Sequence, residues 1–276
     1  MKHDNQKLTK GAEADDFRRL EREWQNQVGK DLLDVPWQQE GAREVFERQF
    51  ERIAECLDLN AAGLVVEIGC GKGHLLEFLQ GRWGPHGPML VGIDVSEAAA
   101  GAREKGLLAL RADGEFLPLP DESVSAFIYD GALHHLIDFE AGLRDAYRAL
   151  KPGGSFVLFE PVSSPFSRLV HRILDPIVFK KVEYESPIDQ HYKDFFEESR
   201  VFATLRDLGM PYTHCRTDFL AYPLTGCYAG SAFGRSPRLM KLLLGIESAS
   251  SRLRVLRWLT GVVSWRFLIV ATKPDR

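Results

Sequence analysis

The stretch VVEIGCGKGHLLEFL, residues 65–79, joins an apolar run, a glycine-rich turn and a helical pattern. Glycines let the backbone turn sharply and let a ligand approach without a Cβ. N–H groups at the start of the next helix attract a carboxylate or phosphate. The spacing is G-x-G-x-G, with His74 where a G-x-G-x-x-G dinucleotide fingerprint has its last glycine. The loop therefore predicts a ligand site. A dinucleotide is a weaker alternative for the ligand, and a tight strand-to-helix turn that binds no ligand is the structural alternative.

Further polar residues follow the next apolar runs. Asp94 ends VGIDVS, where a carboxylate can accept both hydroxyls of a ribose. Asp113 ends LLALRAD, placed to reach an adenine amino group, and YDGALHHL follows the next run. Four such features in order at four strand ends favour a ligand over an empty turn.

The elements that must position these residues alternate along the chain. Short apolar runs begin at Leu64, Met89, Leu107, Val124 and Ser155, and helical segments stand between most of them. Such alternation predicts βαβ units and a doubly wound parallel sheet that is covered on both faces. Open parallel sheets bind ligands at the carboxyl ends of their strands, which is where the polar residues stand.

The remaining chain is predicted to flank this sheet. Residues 12–28 and 38–58 indicate two helices, so residues 1–59 are predicted to form a helical N-terminal cap or lid. Residues 60–276 would be the ligand-binding domain. Prolines punctuate an insertion at 161–194, after the fifth strand, which we expect to cover the substrate. A helix near 195–210, a helix after Ser236 and a last strand at SWRFLIVATKP complete the prediction.

Composition narrows the function. The chain has 276 residues, and residues 1–160 carry 18 Lys and Arg against 28 Asp and Glu. An acidic first half argues against a nucleic-acid binder. The four cysteines are widely spaced, which predicts neither a zinc site nor a disulfide framework. With no secretory signal or spanning segment in view, we expect a cytoplasmic protein without a bound metal.

Several segments together resemble the class I S-adenosylmethionine-dependent methyltransferases of the small-molecule type. The segments are VVEIGCGKG, VGIDVS, ADGEFLPLPDESVSAFIYDGALHHL and LRDAYRALKPGGSFVLFEP, within about residues 60–160. The resemblance implies a Rossmann-like α/β fold with a seven-stranded, mostly parallel sheet and an antiparallel last strand. It also implies S-adenosyl-L-methionine as the cofactor, which has no pyrophosphate and so needs no third fingerprint glycine.

The same resemblance implies roles for single residues. Glu67 would bind the cofactor's amino group, Asp94 its ribose, and Asp113 with Gly114 its adenine. The full set of predicted cofactor-binding residues is Glu67, Gly69, Cys70, Gly71, Gly73, Asp94, Val95, Asp113, Gly114, Tyr129 and Asp130.

Methyl transfer to a hydroxyl needs a group that accepts the proton, and histidine suits that task at neutral pH. His134 and His191 are the predicted catalytic bases, with His134 ahead. A structural role for the adjacent His134 and His135 is the alternative, since neighbouring residues seldom share a direction.

The acceptor is predicted to be a small molecule, methylated on oxygen or another nucleophile. No [DNS]-P-P-[YFW] motif follows the fourth strand, which argues against nucleic-acid methylation. Residues 161–276 carry 17 Lys and Arg against 11 Asp and Glu, interspersed with Leu, Ile, Phe and Trp. Such segments favour an apolar or lipid-linked acceptor, or a peripheral membrane contact. The alternative is that these helices simply pack on the sheet and expose a basic face to solvent. Carbon or nitrogen methylation, and a binding or regulatory protein without catalysis, are the alternatives; oligomeric state is left open.

Overall fold

The computed structural model describes residues 12–31, 33–57, 63–162, 197–225, 230–252 and 263–275. The strands are β1 (Leu64–Ile68), β2 (Met89–Asp94), β3 (Ala109–Arg111), β4 (Val124–Asp130), β5 (Leu150–Pro161), β6 (Tyr212–Thr217) and β7 (Arg266–Thr272). The helices are α1 (Ala12–Asp31), α2 (Glu40–Glu55), α3 (His74–Trp83), α4 (Ala99–Glu104), α5 (Phe139–Ala149), α6 (Glu198–Asp207), α7 (Ala221–Thr225) and α8 (Pro237–Ser251). Most of the predicted insertion, and with it His191, lies outside the described residues.

All seven strands belong to one sheet, in the order β3-β2-β1-β4-β5-β7-β6. β1 pairs in parallel with β2 on one side and with β4 on the other. β7 runs antiparallel to both β5 and β6. The predicted α/β fold class with an antiparallel last strand is thereby confirmed. The chain turns from one half of the sheet to the other between β1 and β4, and such a switch point opens a crevice for ligands.

Apolar side chains cover both faces of the sheet. On one face, Val66 and Phe127 pack with Leu143 of α5 and Leu205 of α6. On the other face, Ile128 and its neighbours pack with α2 and α3. Because the central strands are buried on both sides, their sequences are continuous apolar runs rather than alternating ones.

The edge strand β6 was not predicted from the residue pattern. Its sequence, YTHCRT, is polar, and its inner four residues are exposed. A strand that pairs on one side only and buries little apolar surface leaves no apolar run to detect.

The two N-terminal helices have different surroundings. Phe50, Ile53 and Ala54 of α2 belong to the apolar core on one face of the sheet. No described residue of α1 belongs to the apolar core clusters. Among the helices in the described ranges, none is both long and apolar enough to cross a bilayer.

Candidate active site

One pocket lies at the carboxyl ends of four neighbouring strands. β1 leads into it at the glycine loop, β2 at Asp94, β3 at the loop of Asp113, and β4 at Asp130. The predicted cofactor-binding residues that line it are Gly69, Gly71, Asp94, Val95, Asp113, Gly114 and Asp130. The pocket therefore occupies the crevice at the switch point of the sheet.

The glycine loop has a backbone that favours glycine at two positions lining the pocket. Gly69 and Gly71 have φ angles of 75° and 50°. A Cβ on Gly69 would lie 2.4 Å from the Cβ of Ala132, and one on Gly71 would lie 3.0 Å from Leu33 Cδ1. The backbone N–H of Gly71 donates to Asp94 Oδ2 at 2.8 Å. The loop is thus held against the end of β2, with its backbone open to the pocket.

Asp94 is fixed by the chain itself. Its Oδ1 accepts hydrogen bonds from the Ser96 backbone N–H at 2.8 Å and from Ser96 Oγ at 2.6 Å. Asp113 is held in the same way, because its Oδ1 accepts from the Glu115 N–H at 2.9 Å. Both carboxylates therefore face the pocket from turns whose own N–H groups orient them.

Glu67 lies buried behind the glycine loop, and its Oε2 has no hydrogen-bond partner among the described residues. Burial raises the pKa of Glu67 well above its usual value, and the nearby carboxylates of Asp130 and Asp94 raise it further. An unpartnered buried carboxylate beside two others is costly unless a positive charge arrives. S-adenosylmethionine carries an ammonium and a sulfonium, so this cluster fits the predicted cofactor.

The Asp130 carboxylate accepts hydrogen bonds from Arg266 and Gln49. Arg266 Nη2 donates to Asp130 Oδ1 at 2.7 Å, and Gln49 Nε2 donates to the same carboxylate at 2.5 Å. Arg266 is itself buried and lies over the Phe159 ring, with its guanidinium carbon 4.1 Å from the ring centroid. Burial raises the pKa of Asp130, although Arg266 acts in the opposite direction. The network ties β4, β7 and α2 together beneath the pocket.

The two adjacent histidines face different partners. His134 Nδ1 lies 2.8 Å from Oε2 of the buried Glu160, and His134 is not part of the pocket wall. Glu160 Oε1 also accepts the N–H groups of Ala132 and Leu133, at 3.0 and 2.7 Å, which fixes the turn that carries both histidines. His135 lines the pocket, and its ring centroid is 4.0 Å from that of His134. Glu160 was missed in the sequence, although it ends the fifth strand as Asp94 ends the second.

Besides Glu67, three predicted cofactor-binding residues lie outside the pocket wall. Cys70 is buried against the body of the sheet, and Gly73 packs against Leu107 and Ala102. Tyr129 is fully buried in the apolar core. Their positions indicate packing behind the loop. No group of three or more His, Cys, Asp or Glu side chains that could hold a metal occurs among the described residues.

α1 and the segment after it supply pocket residues that the sequence did not single out. Arg18, Glu21, Trp24 and Gln25 of α1 line the pocket. The segment after α1 also contacts His74, the residue at the place of the fingerprint glycine. His74 Nε2 lies 3.1 Å from Asp34 Oδ1, and the His74 ring stacks on Trp37 with centroids 4.5 Å apart.

Lys72, also in the glycine loop, donates to Asp34 Oδ2 at 2.5 Å. These two hydrogen bonds lower the pKa of Asp34 in spite of its partial burial, which acts to raise it. Lys72 and His74 thus bind the N-terminal segment, and Gly69 and Gly71 face the pocket.

The family model and the similar proteins described below are all methyltransferases. A family model described as "Methyltransferase domain" matches residues 66–158. The ubiquinone/menaquinone biosynthesis C-methyltransferase UbiE of Geobacter sulfurreducens is 31% identical over 138 residues, covering 46% of this chain and 53% of the relative. The chain spans about half the length of the curated relatives that it matches first.

Solved structures show the same fold. A possible histamine N-methyltransferase of Thermotoga maritima has a TM-score of 0.53 at 21% identity, over 82% of this chain and 89% of that chain. Geranyl diphosphate C-methyltransferase of Streptomyces coelicolor, solved with Mg²⁺, geranyl diphosphate and S-adenosyl-L-homocysteine, has a TM-score of 0.52 at 17% identity, over 84% and 80%. The predicted family is confirmed over residues 66–158, and S-adenosylmethionine is the cofactor of that family.

Proposed function

Because residues 66–158 form a methyltransferase domain of the class I S-adenosylmethionine-dependent family, we propose that this chain transfers a methyl group to an oxygen of a small molecule. The observation that carries the proposal is the buried Glu67 carboxylate beside Asp94 and Asp130, behind a glycine loop that opens into one pocket. A cationic methyl donor compensates this concentration of negative charge.

The pocket residues divide the cofactor among them. Asp94 accepts the ribose hydroxyls, because its carboxylate is already oriented by Ser96 and Gly71. Asp113 and Gly114 bind the adenine end, and Asp130 in the pocket wall attracts the amino group together with Glu67 buried behind the glycine loop. When bound, S-adenosylmethionine supplies a methyl carbon that is activated for in-line displacement. The protein's part is to align the acceptor and exclude water.

His134 is the proposed base. When Glu160 is ionised, Nδ1–H donation to its carboxylate leaves the lone pair on Nε2, which is the tautomer that a base requires. S-adenosylmethionine held by these residues would supply the methyl carbon to the acceptor oxygen and keep the electron pair of the broken carbon–sulfur bond on sulfur, and His134 Nε2 would take the hydroxyl proton. Glu160 then stabilises the imidazolium as a neighbouring carboxylate does in hydrolytic triads.

The acceptor is proposed to be apolar or lipid-linked. The UbiE relative is named for ubiquinone and menaquinone biosynthesis, which supports an apolar acceptor for that protein. Because the same name describes a C-methyltransferase, methylation of carbon is the second candidate for this chain. A base such as His134 serves either reaction, since removing a hydroxyl proton also activates the ring carbons of a phenol.

α8 supplies a surface that fits a lipid headgroup region. Leu242 and Ile246 are 61% and 45% exposed on its outer face. Arg238 stands on the same face, and Lys241 beside it pairs with Glu44 of α2 at 2.9 Å. Positions 238, 241, 242 and 246 follow the helical period. Apolar side chains flanked by cations are typical of helices that rest on anionic membranes. We propose that α8 brings the chain to a membrane that holds its acceptor.

A screen of acceptors tests the whole proposal. Purified protein is incubated with methyl-labelled S-adenosylmethionine and panels of phenols, quinols and isoprenoid alcohols, and products are read by mass spectrometry. Labelled O-methyl products from the apolar panel are expected. Label on carbon would select the second candidate, and S-adenosylhomocysteine binding without any labelled product would favour the non-catalytic alternative.

A further inference from the structure

α1 buries a carboxylate and exposes a leucine. Glu21 is 5% exposed, whereas the adjacent Leu20 is 45% exposed. A helix that served only for packing would turn its apolar residue inward. The inward face of α1 instead carries mostly polar side chains and faces the pocket through Arg18, Glu21 and Gln25, together with the half-buried Trp24. This inverted burial indicates that the position of Glu21 serves the site.

α1 is held to the body at three strand ends of the pocket. Arg18 Nη2 lies 2.8 Å from Glu115 Oε2, after β3. Asn26 Oδ1 accepts the Glu97 backbone N–H at 2.7 Å, after β2. Glu21 Oε1 lies 3.4 Å from His135 Nδ1, after β4. Because no described side chain of α1, those of residues 18–27, belongs to the apolar core clusters, this part of the helix can separate from the pocket without exposing them, as a lid must.

The Glu21 contact completes a row of four side chains. Glu160 holds His134, the His134 ring lies against His135, and His135 Nδ1 lies within ion-pair distance of Glu21 Oε1, at 3.4 Å. A carboxylate thus stands at each end of a histidine pair, one fixed in the core on β5 and one carried by α1. Gln25 Nε2 donates to Glu21 Oε1 at 2.9 Å and steadies the outer carboxylate.

We propose that Glu21 is a positioning residue: with α1 closed across the pocket, its carboxylate orients the His135 ring against the proposed base His134. Closure of α1 and assembly of the histidine pair are then one event. This inference rests on the proposed function for its catalytic meaning. The contact itself is a property of the free protein and is tested there.

The experiment compares Glu21→Gln with Glu23→Gln, which removes a carboxylate from the outward face of the same helix, where Glu23 is 63% exposed. In the free protein, amide hydrogen exchange of residues 18–27 is expected to rise about threefold to tenfold in Glu21→Gln and to stay unchanged in Glu23→Gln. The imidazole ¹⁵N signals of His135, assigned with His135→Gln, are expected to move only in Glu21→Gln. A loss of helix alone would not move that ring signature selectively.

S-adenosylhomocysteine supplies the second arm. Its addition is expected to slow exchange in α1 of the wild type and to do so several-fold less in Glu21→Gln. Equal exchange and equal ring signals in the two variants would overturn the inference. If S-adenosylhomocysteine does not bind the wild type, the proposed function fails, while the free-protein measurements still decide the role of Glu21.

Discussion

Asp94 makes three hydrogen bonds within the chain before any ligand is considered, two to Ser96 and one to the Gly71 N–H. Its carboxylate is therefore preorganised, and ligand binding does not have to order it. The same side chain fastens the glycine loop to β2. Cofactor affinity should depend on Asp94 more than on any exposed acid of the molecule.

Asp94→Ala is expected to abolish most of the rise in Tm that S-adenosylmethionine causes. Each lost hydrogen bond to the carboxylate corresponds to roughly 1.5–3 kcal/mol, about a tenfold to hundredfold loss of affinity. Asp207→Ala, at an exposed acid of α6, is the control and should keep the full rise. Stabilisation by a nicotinamide dinucleotide but not by S-adenosylmethionine would reverse the assignment.

Glu160→Gln tests the base through its partner. A glutamine can keep accepting the Ala132 and Leu133 N–H groups, but its amide nitrogen then donates to His134 Nδ1 and moves the ring proton to Nε2. We expect turnover of the identified acceptor to fall by about 10²–10⁴-fold, with cofactor affinity little changed.

His134→Ala should match that loss, and His214→Ala, which breaks a histidine–glutamate pair on the edge strand β6, should not. If Glu160→Gln and His134→Ala both keep more than about a tenth of the wild-type rate, proximity alone carries the reaction. The base assignment would then be withdrawn, and the methyltransferase kept.

At the scale of elements, the sequence predicted the features that are formed by residues adjacent in the chain. The runs at β1, β2 and β4 and the strand-end acids Asp94 and Asp113 could be found because strand, turn and ligand group are adjacent in the chain. β6 was missed because a polar edge strand gains its stability from pairing with β7, which lies more than 40 residues later. Glu21 was missed because nothing local to α1 shows which face meets the pocket.

The outer face of α8 leads to a prediction at the same scale. Leu242→Ser with Ile246→Ser is expected to weaken binding to vesicles of phosphatidylglycerol and phosphatidylcholine by about tenfold, since two exposed apolar side chains leave the interface. Leu110→Ser, at an exposed apolar residue of the edge strand β3, is the control. Co-sedimentation that is equal for all three proteins, or absent for the wild type, would contradict a membrane role for α8.

For the molecule as a whole, the carboxylates behind the pocket oppose folding at neutral pH. Burial raises the pKa of Glu67 and of Asp130, and it raises the pKa of Glu160 to about 7. Arg266 lies close enough to lower the pKa values of two of these groups, Asp130 and Glu160. Ionising these groups in the folded state is therefore costly, which suits a site for a cationic ligand and makes stability depend on pH.

Glu160 allows that dependence to be measured. Its folded pKa lies above the ordinary 4.5, so the folded state holds the proton longer than the unfolded chain does. Below pH 4.5 both states are protonated and Glu160 contributes no pH dependence. As pH rises from 4.5 to 7, the unfolded state loses its proton first, and the free energy of unfolding falls. A shift of this size corresponds to a loss on the order of 3 kcal/mol, complete above pH 7.

His74 acts in an overlapping window with the opposite sign. Burial lowers the pKa of His74, so its contribution to stability is lost as pH falls below 6.5. The difference between wild type and Glu160→Gln cancels His74 and isolates Glu160. Urea unfolding at pH 4.5, 6 and 7.5 should show Glu160→Gln gaining on the wild type as pH rises. A difference that stays constant across this range would mean that the Glu160 carboxyl is ionised throughout. Arg266 would then offset the effect of burial on the pKa of Glu160.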